Sequence, residues 1–129
     1  VDEGRVLGIG GVFLRAQDPA ALAAWYRDTL GFTVTAAGEA APDGAWFWRA
    51  EGGDTVYSIF PQGSDYFAAD RQVMINLRVA GLDALIARLQ GAGVAVETRA
   101  EWDHPEVGRF ARIQDAEGNP VELWEPPAD

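Results

Sequence analysis

The chain has no cysteine and no lysine, and its 129 residues include one histidine and one methionine. Without cysteine there can be no disulfides, no thiolate zinc sites and no cysteine nucleophile. Without lysine, Schiff-base chemistry is excluded. All ten basic residues are therefore arginine, against twenty Asp and Glu, and the net charge is −10. The arginines are scattered from Arg5 to Arg112, with no stripe to neutralise phosphates, so neither nucleic acid nor an anionic membrane surface is an expected partner. No apolar run approaches the roughly 18 residues that a membrane span requires. The N-terminal "VDEGRVLGIGG" lacks a basic region followed by an apolar stretch. "GIGG" also lacks the spacing and the following helix of a dinucleotide-binding loop. The expectation is a soluble, cytoplasmic protein.

What is present suits one compact domain over 1–129. The chain is 48% apolar, with five Trp, six Phe and three Tyr, enough for a core without covalent staples. It also repeats itself. "GVFLRAQDPAALAAWYRDTLGFTV" (11–34) overlays "MINLRVAGLDALIARLQGAGVAV" (74–96), so that Val12 meets Ile75, Leu14 meets Leu77 and Arg15 meets Arg78. Further along, "GDTVYSIFP" (53–61) overlays "GNPVELWEP" (118–126). The expected organisation is a first module at about 5–61, a linker at about 62–72 and a second module at about 73–127.

Local signals give each module the order strand, helix, three strands. The first strand is expected at 6–15. Asp18 is placed to cap a helix with Pro19 in its first turn. Leu22, Tyr26 and Leu30 share one helical face, and Gly31 is a left-handed stop. Strands are expected at 33–37, 45–50 and 54–60. In the second module Leu82, Leu85, Ile86 and Leu89 form the helical stripe and Gly93 ends it. Strands follow at about 94–99, 108–114 and 119–125, with "DAEGN" as the last turn. One such module cannot bury both faces of its sheet. The predicted fold is α+β: two tandem βαβββ modules forming a curved mixed sheet around a central trough, with helices on the outer face. A trough between modules is where small-molecule pockets lie.

The stretches "VFLRAQDPAALAAWYRDTLGF" and "IQDAEGNPVELWEP" resemble the vicinal oxygen chelate superfamily, matching its strand, Asp and "FYxxxLGF" pattern and its "DPxGNxxEL" ending. That superfamily includes glyoxalases, extradiol dioxygenases, fosfomycin-resistance enzymes and bleomycin-binding proteins. The resemblance spans about 6–127 and implies a homodimer. It also implies where a metal site would lie: at Gly11, Tyr57, Met74 and Glu122. Glycine offers no side-chain ligand, methionine is a soft thioether, and neutral tyrosine binds poorly. The expectation is that no metal and no other cofactor is bound.

Glu122 is the one ionisable residue of that set ready to act, as a general base or as an acceptor for a ligand donor; the alternative is a partly solvated strand residue paired with an arginine. "AWFW" alternates on a strand, so Trp46 and Trp48 share a face. With Phe13, Tyr57, Met74, Asn76 and Trp124 they are the candidate lining of the trough, suited to stacking on a flat ligand. Arg15 and Arg78 are repeat-related; they are expected to pair with some of the twenty carboxylates, or else to line the rim of the trough and receive an anionic group. Tyr66 and Phe67 in the linker form either a lid or a small satellite cluster. His104, in a polar loop, is expected at the surface; the alternative is a displaced metal or acid–base site with Glu106. The leading expectation is metal-independent binding of a small, partly aromatic molecule, cations being favoured by the acidic charge. The alternatives are an enzyme of lyase, isomerase or dioxygenase type, using Glu122 as base or the displaced site at His104, and an interaction module whose trough is filled.

Overall fold

The computed structural model describes residues 4, 5, 7, 9–32 and 50–128. Helix α1 covers Pro19–Leu30, strand β1 Ile75–Arg78, helix α2 Leu82–Gly91, strand β2 Arg109–Gln114 and strand β3 Pro120–Glu125, with a short 3-10 turn at Ala100–Trp102. The three strands form one mixed sheet in the order β1-β3-β2. β3 pairs parallel with β1 and antiparallel with β2.

Helix α1 begins and ends as its sequence dictates. The Asp18 carboxylate accepts from the Ala21 N–H at 3.1 Å, and Gly31 leaves α1 at φ 71°. A second carboxylate reinforces the start of α1 from far along the chain: Glu117 accepts from the Gln17 and Asp18 amides at 2.8 and 3.1 Å. The same device serves α2, where the Leu82 amide donates to Glu125 at 2.9 Å. Carboxylates at helix N-termini meet both unpaired amides and the positive end of the helix dipole.

One face of the sheet is the core. Val121 and Leu123 of β3 and Ala111 and Ile113 of β2 are buried with Leu22 and Tyr26 of α1 and Leu82 and Leu89 of α2. Leu30, Leu85 and Ile86 pack around them half-buried, as the helical stripes require. Strand alternation then assigns Asn76, Arg78, Phe110, Arg112, Glu122 and Trp124 to the other face.

Several expected strands differ. Residues 94–99 supply only an isolated bridge at Glu97, which exchanges both backbone bonds with Arg112 at 2.8 and 2.9 Å. The chain turns away into the 3-10 segment before a ladder can lengthen. Among the described residues, 9–16 and 54–60 enter no strand ladder, and Ile9, Val12, Phe13, Val56, Tyr57 and Ile59 are exposed. Alternation makes a segment suited to a sheet, but pairing makes it a strand. The segments expected beside 54–60, namely 33–37 and 45–50, lie outside the described residues apart from Ala50. Among the described residues no helix is long and apolar enough to cross a membrane.

Candidate functional site

Cross-strand register builds two rows on the face away from the helices. The first is Asn76, Glu122 and Arg112; the second is Arg78, Trp124 and Phe110. Glu122 sits on the central strand and is 5% exposed. Its Oε1 accepts from Asn76 Nδ2 at 2.8 Å, and its Oε2 lies 3.4 Å from Arg112 Nη2. The Tyr66 hydroxyl donates to the same Oε2. A carboxylate taken out of water is tolerated when donors and a countercharge replace the lost hydration.

Tyr66 comes from the linker and closes over this row. Its carbonyl accepts from Arg112 Nη1 at 2.9 Å, and the guanidinium carbon stands 4.8 Å from the Tyr66 ring centre and 5.0 Å from that of Trp102. Such stacking on aromatic faces suits a desolvated guanidinium. Phe60 lies parallel to Tyr66 at 5.2 Å, and Trp102 meets it edge-on at 6.2 Å. The Nε of Arg112 is buried without an acceptor. Burial, above all, and then the bond to Glu122 push the Tyr66 phenol up to about 12. It remains a neutral donor across the physiological range.

The second row is tied down. Trp124 stacks on Phe110 with ring centres 6.3 Å apart and 5° between planes, and its Nε1 donates to the Val107 carbonyl at 2.8 Å. Arg78 donates to the carbonyls of Glu51 and Asp54, fastening the segment before 54–60 to the sheet.

The structure therefore brings together Glu122 and Asn76, with Trp124 in the adjoining row. Met74 is half-buried just ahead of β1, whereas Phe13 and Tyr57 stand exposed and Gly11 lies in the same unpaired stretch as Phe13. Trp46 and Trp48 lie outside the described residues. Arg15 lines a cleft with Arg71, Glu117 and Asn119, away from Arg78. His104 is exposed in a tight loop, where its Nδ1 accepts from the Glu106 amide at 3.1 Å and its backbone pairs with Gly108. Of the two linker aromatics, Tyr66 reaches Glu122 directly, while Phe67 packs edge-on against Phe60 at 5.9 Å. Two residues were missed from sequence, Arg112 and Trp102. Alternation in "RFARIQ" sets Arg112 on the face of Phe110, which was a usable signal; nothing in "AEWDH" marks Trp102.

Among the described residues these features define a small α+β fold with two helices on one face of a mixed open sheet and a polar, aromatic-flanked second face. The chain belongs to the glyoxalase/bleomycin resistance protein/dioxygenase superfamily, whose family profile matches residues 8–123. Among solved structures it is similar to TnmS3, an antibiotic binding protein from Streptomyces sp. CB03234, at 26% identity over 94% of this chain and 99% of that one, with a TM-score of 0.50. It is also similar in fold to TioX from Micromonospora sp. ML1, at 17% identity over 90% and 94% of the two chains, with a TM-score of 0.53. No curated protein matches.

Proposed function

We propose that this chain binds a small, partly aromatic molecule on the sheet face that carries Glu122, without a metal ion. The observation that carries this reading is the Glu122 cluster. A buried carboxylate is held by Asn76, Arg112 and Tyr66, and Tyr66 and Trp102 flank the guanidinium with their rings. Few polar groups of fixed direction among aromatic rings suit a small-molecule site. The likeness to an antibiotic binding protein supports the same class of ligand for this chain. In the full domain, residues 9–16 and 54–60 would belong to the first βαβββ module, and the face would become a trough lined also by Phe13, Trp46, Trp48, Tyr57 and Met74.

Metal independence rests on donor chemistry. Of the positions Gly11, Tyr57, Met74 and Glu122, only the last is a good ligand for a hard or borderline divalent ion. Both of its oxygens already accept hydrogen bonds, and a guanidinium lies 3.4 Å from one of them. A cation there would compete with the Arg112 charge. The same saturation makes Glu122 a poor proton abstractor, which disfavours an enzyme using it as base. The homodimer reading rests on the family resemblance, and sedimentation analysis tests it. A cytoplasmic location remains part of this proposal.

The test is titration of intrinsic tryptophan emission with a panel of planar aromatic antibiotics. Saturable quenching at micromolar ligand, weakened by Trp124→Ala, is expected. A panel without any saturable response would overturn the reading.

A further inference from the structure

We propose that Tyr66 is an internal occupant of the Glu122 site, holding the place of a ligand hydroxyl, so that the site selects planar aromatic molecules bearing a free phenolic hydroxyl. This rests on the binding reading above and names the ligand class of that same face.

The chemistry starts from Glu122. Its neighbours on the sheet, Asn76 and Arg112, are delivered by β1 and β2 in fixed register. They satisfy Oε1 at 2.8 Å but leave Oε2 with only a long contact at 3.4 Å. The close donor to Oε2 is Tyr66, which belongs to no strand or helix and lies 56 residues away in sequence. Its segment, 61–72, is a run of turns whose own backbone bonds are short-range, Ser64 to Pro61 and Arg71 to Ala68. The hydroxyl bond, the Tyr66 carbonyl on Arg112 and the ring contacts are what tie Tyr66 to the sheet. The sheet thus presents a buried acceptor whose best donor arrives on a separable strap.

The surroundings are shaped for a ring rather than for tyrosine in particular. The phenol ring lies parallel to Phe60 at 5.2 Å, with the Arg112 guanidinium 4.8 Å from its centre. A planar aromatic nucleus would find the same stacking and cation–π partners. The occupant leaves one need unmet, because the Arg112 Nε is buried with no acceptor. A ligand with an oxygen acceptor in reach of that N–H would satisfy it, whereas Tyr66, whose carbonyl is engaged by Nη1, does not. A site built to hydrogen-bond a hydroxyl discriminates strongly against the analogue that lacks it, since the buried acceptor is then left unpaired.

The test compares 2-naphthol with 2-methoxynaphthalene by calorimetry on wild type, Tyr66→Ala, Tyr66→Phe and Glu122→Gln, with circular dichroism to establish folding. Wild type is expected to prefer the naphthol by about tenfold or more, the scale of one charge-assisted hydrogen bond. Tyr66→Ala, freed of the occupant, should bind the naphthol about tenfold tighter than wild type. Tyr66→Phe keeps the ring and removes the competing hydroxyl; it should gain less, and it secures the result if the alanine variant folds poorly. Glu122→Gln should lose most of the preference for the hydroxyl. Equal affinity for the two probes in wild type and the Tyr66 variants, or weaker naphthol binding in both Tyr66 variants, would overturn the inference while leaving the binding reading intact if the antibiotic panel still quenches. If neither the probes nor the panel bind, both fall together.

Discussion

The Tyr26 hydroxyl donates to Asp115 Oδ2 at 2.7 Å, joining two buried side chains 89 residues apart. It ties α1, in the first half of the repeat, to the turn between β2 and β3 in the second. Asp115 organises that turn as well, accepting from the Glu117 and Asn119 amides at 2.9 Å each and from Asn119 Nδ2 at 2.8 Å. Tyr26→Phe removes one bond from a carboxylate that keeps its others, and should cost about 1–2 kcal/mol. Asp115→Asn sets an amide N–H among donors and should cost more than about 2 kcal/mol. Urea denaturation of both variants checks the order; equal losses would show that the turn does not depend on the charge.

Glu122 and Arg112 should be coupled. Glu122→Gln keeps one acceptor oxygen where the carboxylate has two, one for Asn76 and one for Tyr66, and leaves the guanidinium without its countercharge, at a cost of about 1–3 kcal/mol. A double-mutant cycle with Arg112→Met should return an interaction energy of about 1 kcal/mol or more. Strict additivity would mean that the 3.4 Å contact contributes nothing.

Alkaline pH should weaken the fold through Tyr66. Its phenol is raised from 10.0 to about 12, chiefly by burial, then by the hydrogen bond to and charge of Glu122, with Arg112 opposing. Between those values the unfolded chain has released the proton and the folded one keeps it, so stability falls as pH rises. The contribution is fully present below pH 10 and lost through about 12; with screening at this half-buried ring it is about 1 kcal/mol. Tyr26 is raised in the same direction, by burial and then by Asp115. The stability gap between wild type and Tyr66→Phe should therefore narrow from pH 9.5 to 11.5 in denaturant titrations. A gap that held constant or widened would contradict the Tyr66 assignment.

Gly108 allows the close approach of β3 to the His104 loop. It sits at φ 129°, and a Cβ there would stand 2.2 Å from the Glu125 carbonyl oxygen and 2.9 Å from Trp124 Nε1. Gly108→Ala should cost more than about 2 kcal/mol, combining backbone strain with a backbone clash. Near-ultraviolet circular dichroism should change as well, because Trp124 and Phe110 must shift. A variant with native stability and spectrum would refute this packing.

Metal titration should leave the protein unchanged. Among the described residues no group of three or more His, Cys, Asp and Glu side chains is placed to hold an ion. Incubation with Ni, Zn, Mn or ferrous ion followed by desalting should leave well under one ion per chain, with no rise in melting temperature. A stoichiometric ion lost in Glu122→Gln would reverse the metal-free reading.

Much of the fold was legible in local pattern. The stripe of Leu82, Leu85, Ile86 and Leu89 is a property of 3.6-residue periodicity, and the buried Leu22 and Tyr26 lie where the same periodicity puts them. Asp18, Pro19 and Gly31 mark the ends of α1 by their own backbone chemistry. Alternation in "PVELWE" assigns Val121 and Leu123 to one face and Glu122 and Trp124 to the other, so the place of the site's carboxylate could be read without a structure. Periodicity and the Asp18 cap are set within a few residues, which is why one dimension suffices for them.

The rest depended on distant segments. Whether 94–99 becomes a strand was decided by the turn that follows it, which allows one bridge to Arg112. The helix-capping roles of Glu117 and Glu125 required the β2–β3 turn to lie beside the start of α1 and the end of β3 beside the start of α2. Above all, Glu122 could be recognised as a candidate, but not its company. Arg112 reaches it through antiparallel register, Asn76 through parallel register across a helical crossover, and Tyr66 from 56 residues away. The sequence by itself determined which groups were available on each face. The tertiary structure decided which of them met, because a buried carboxylate takes whatever donors the packing delivers to it.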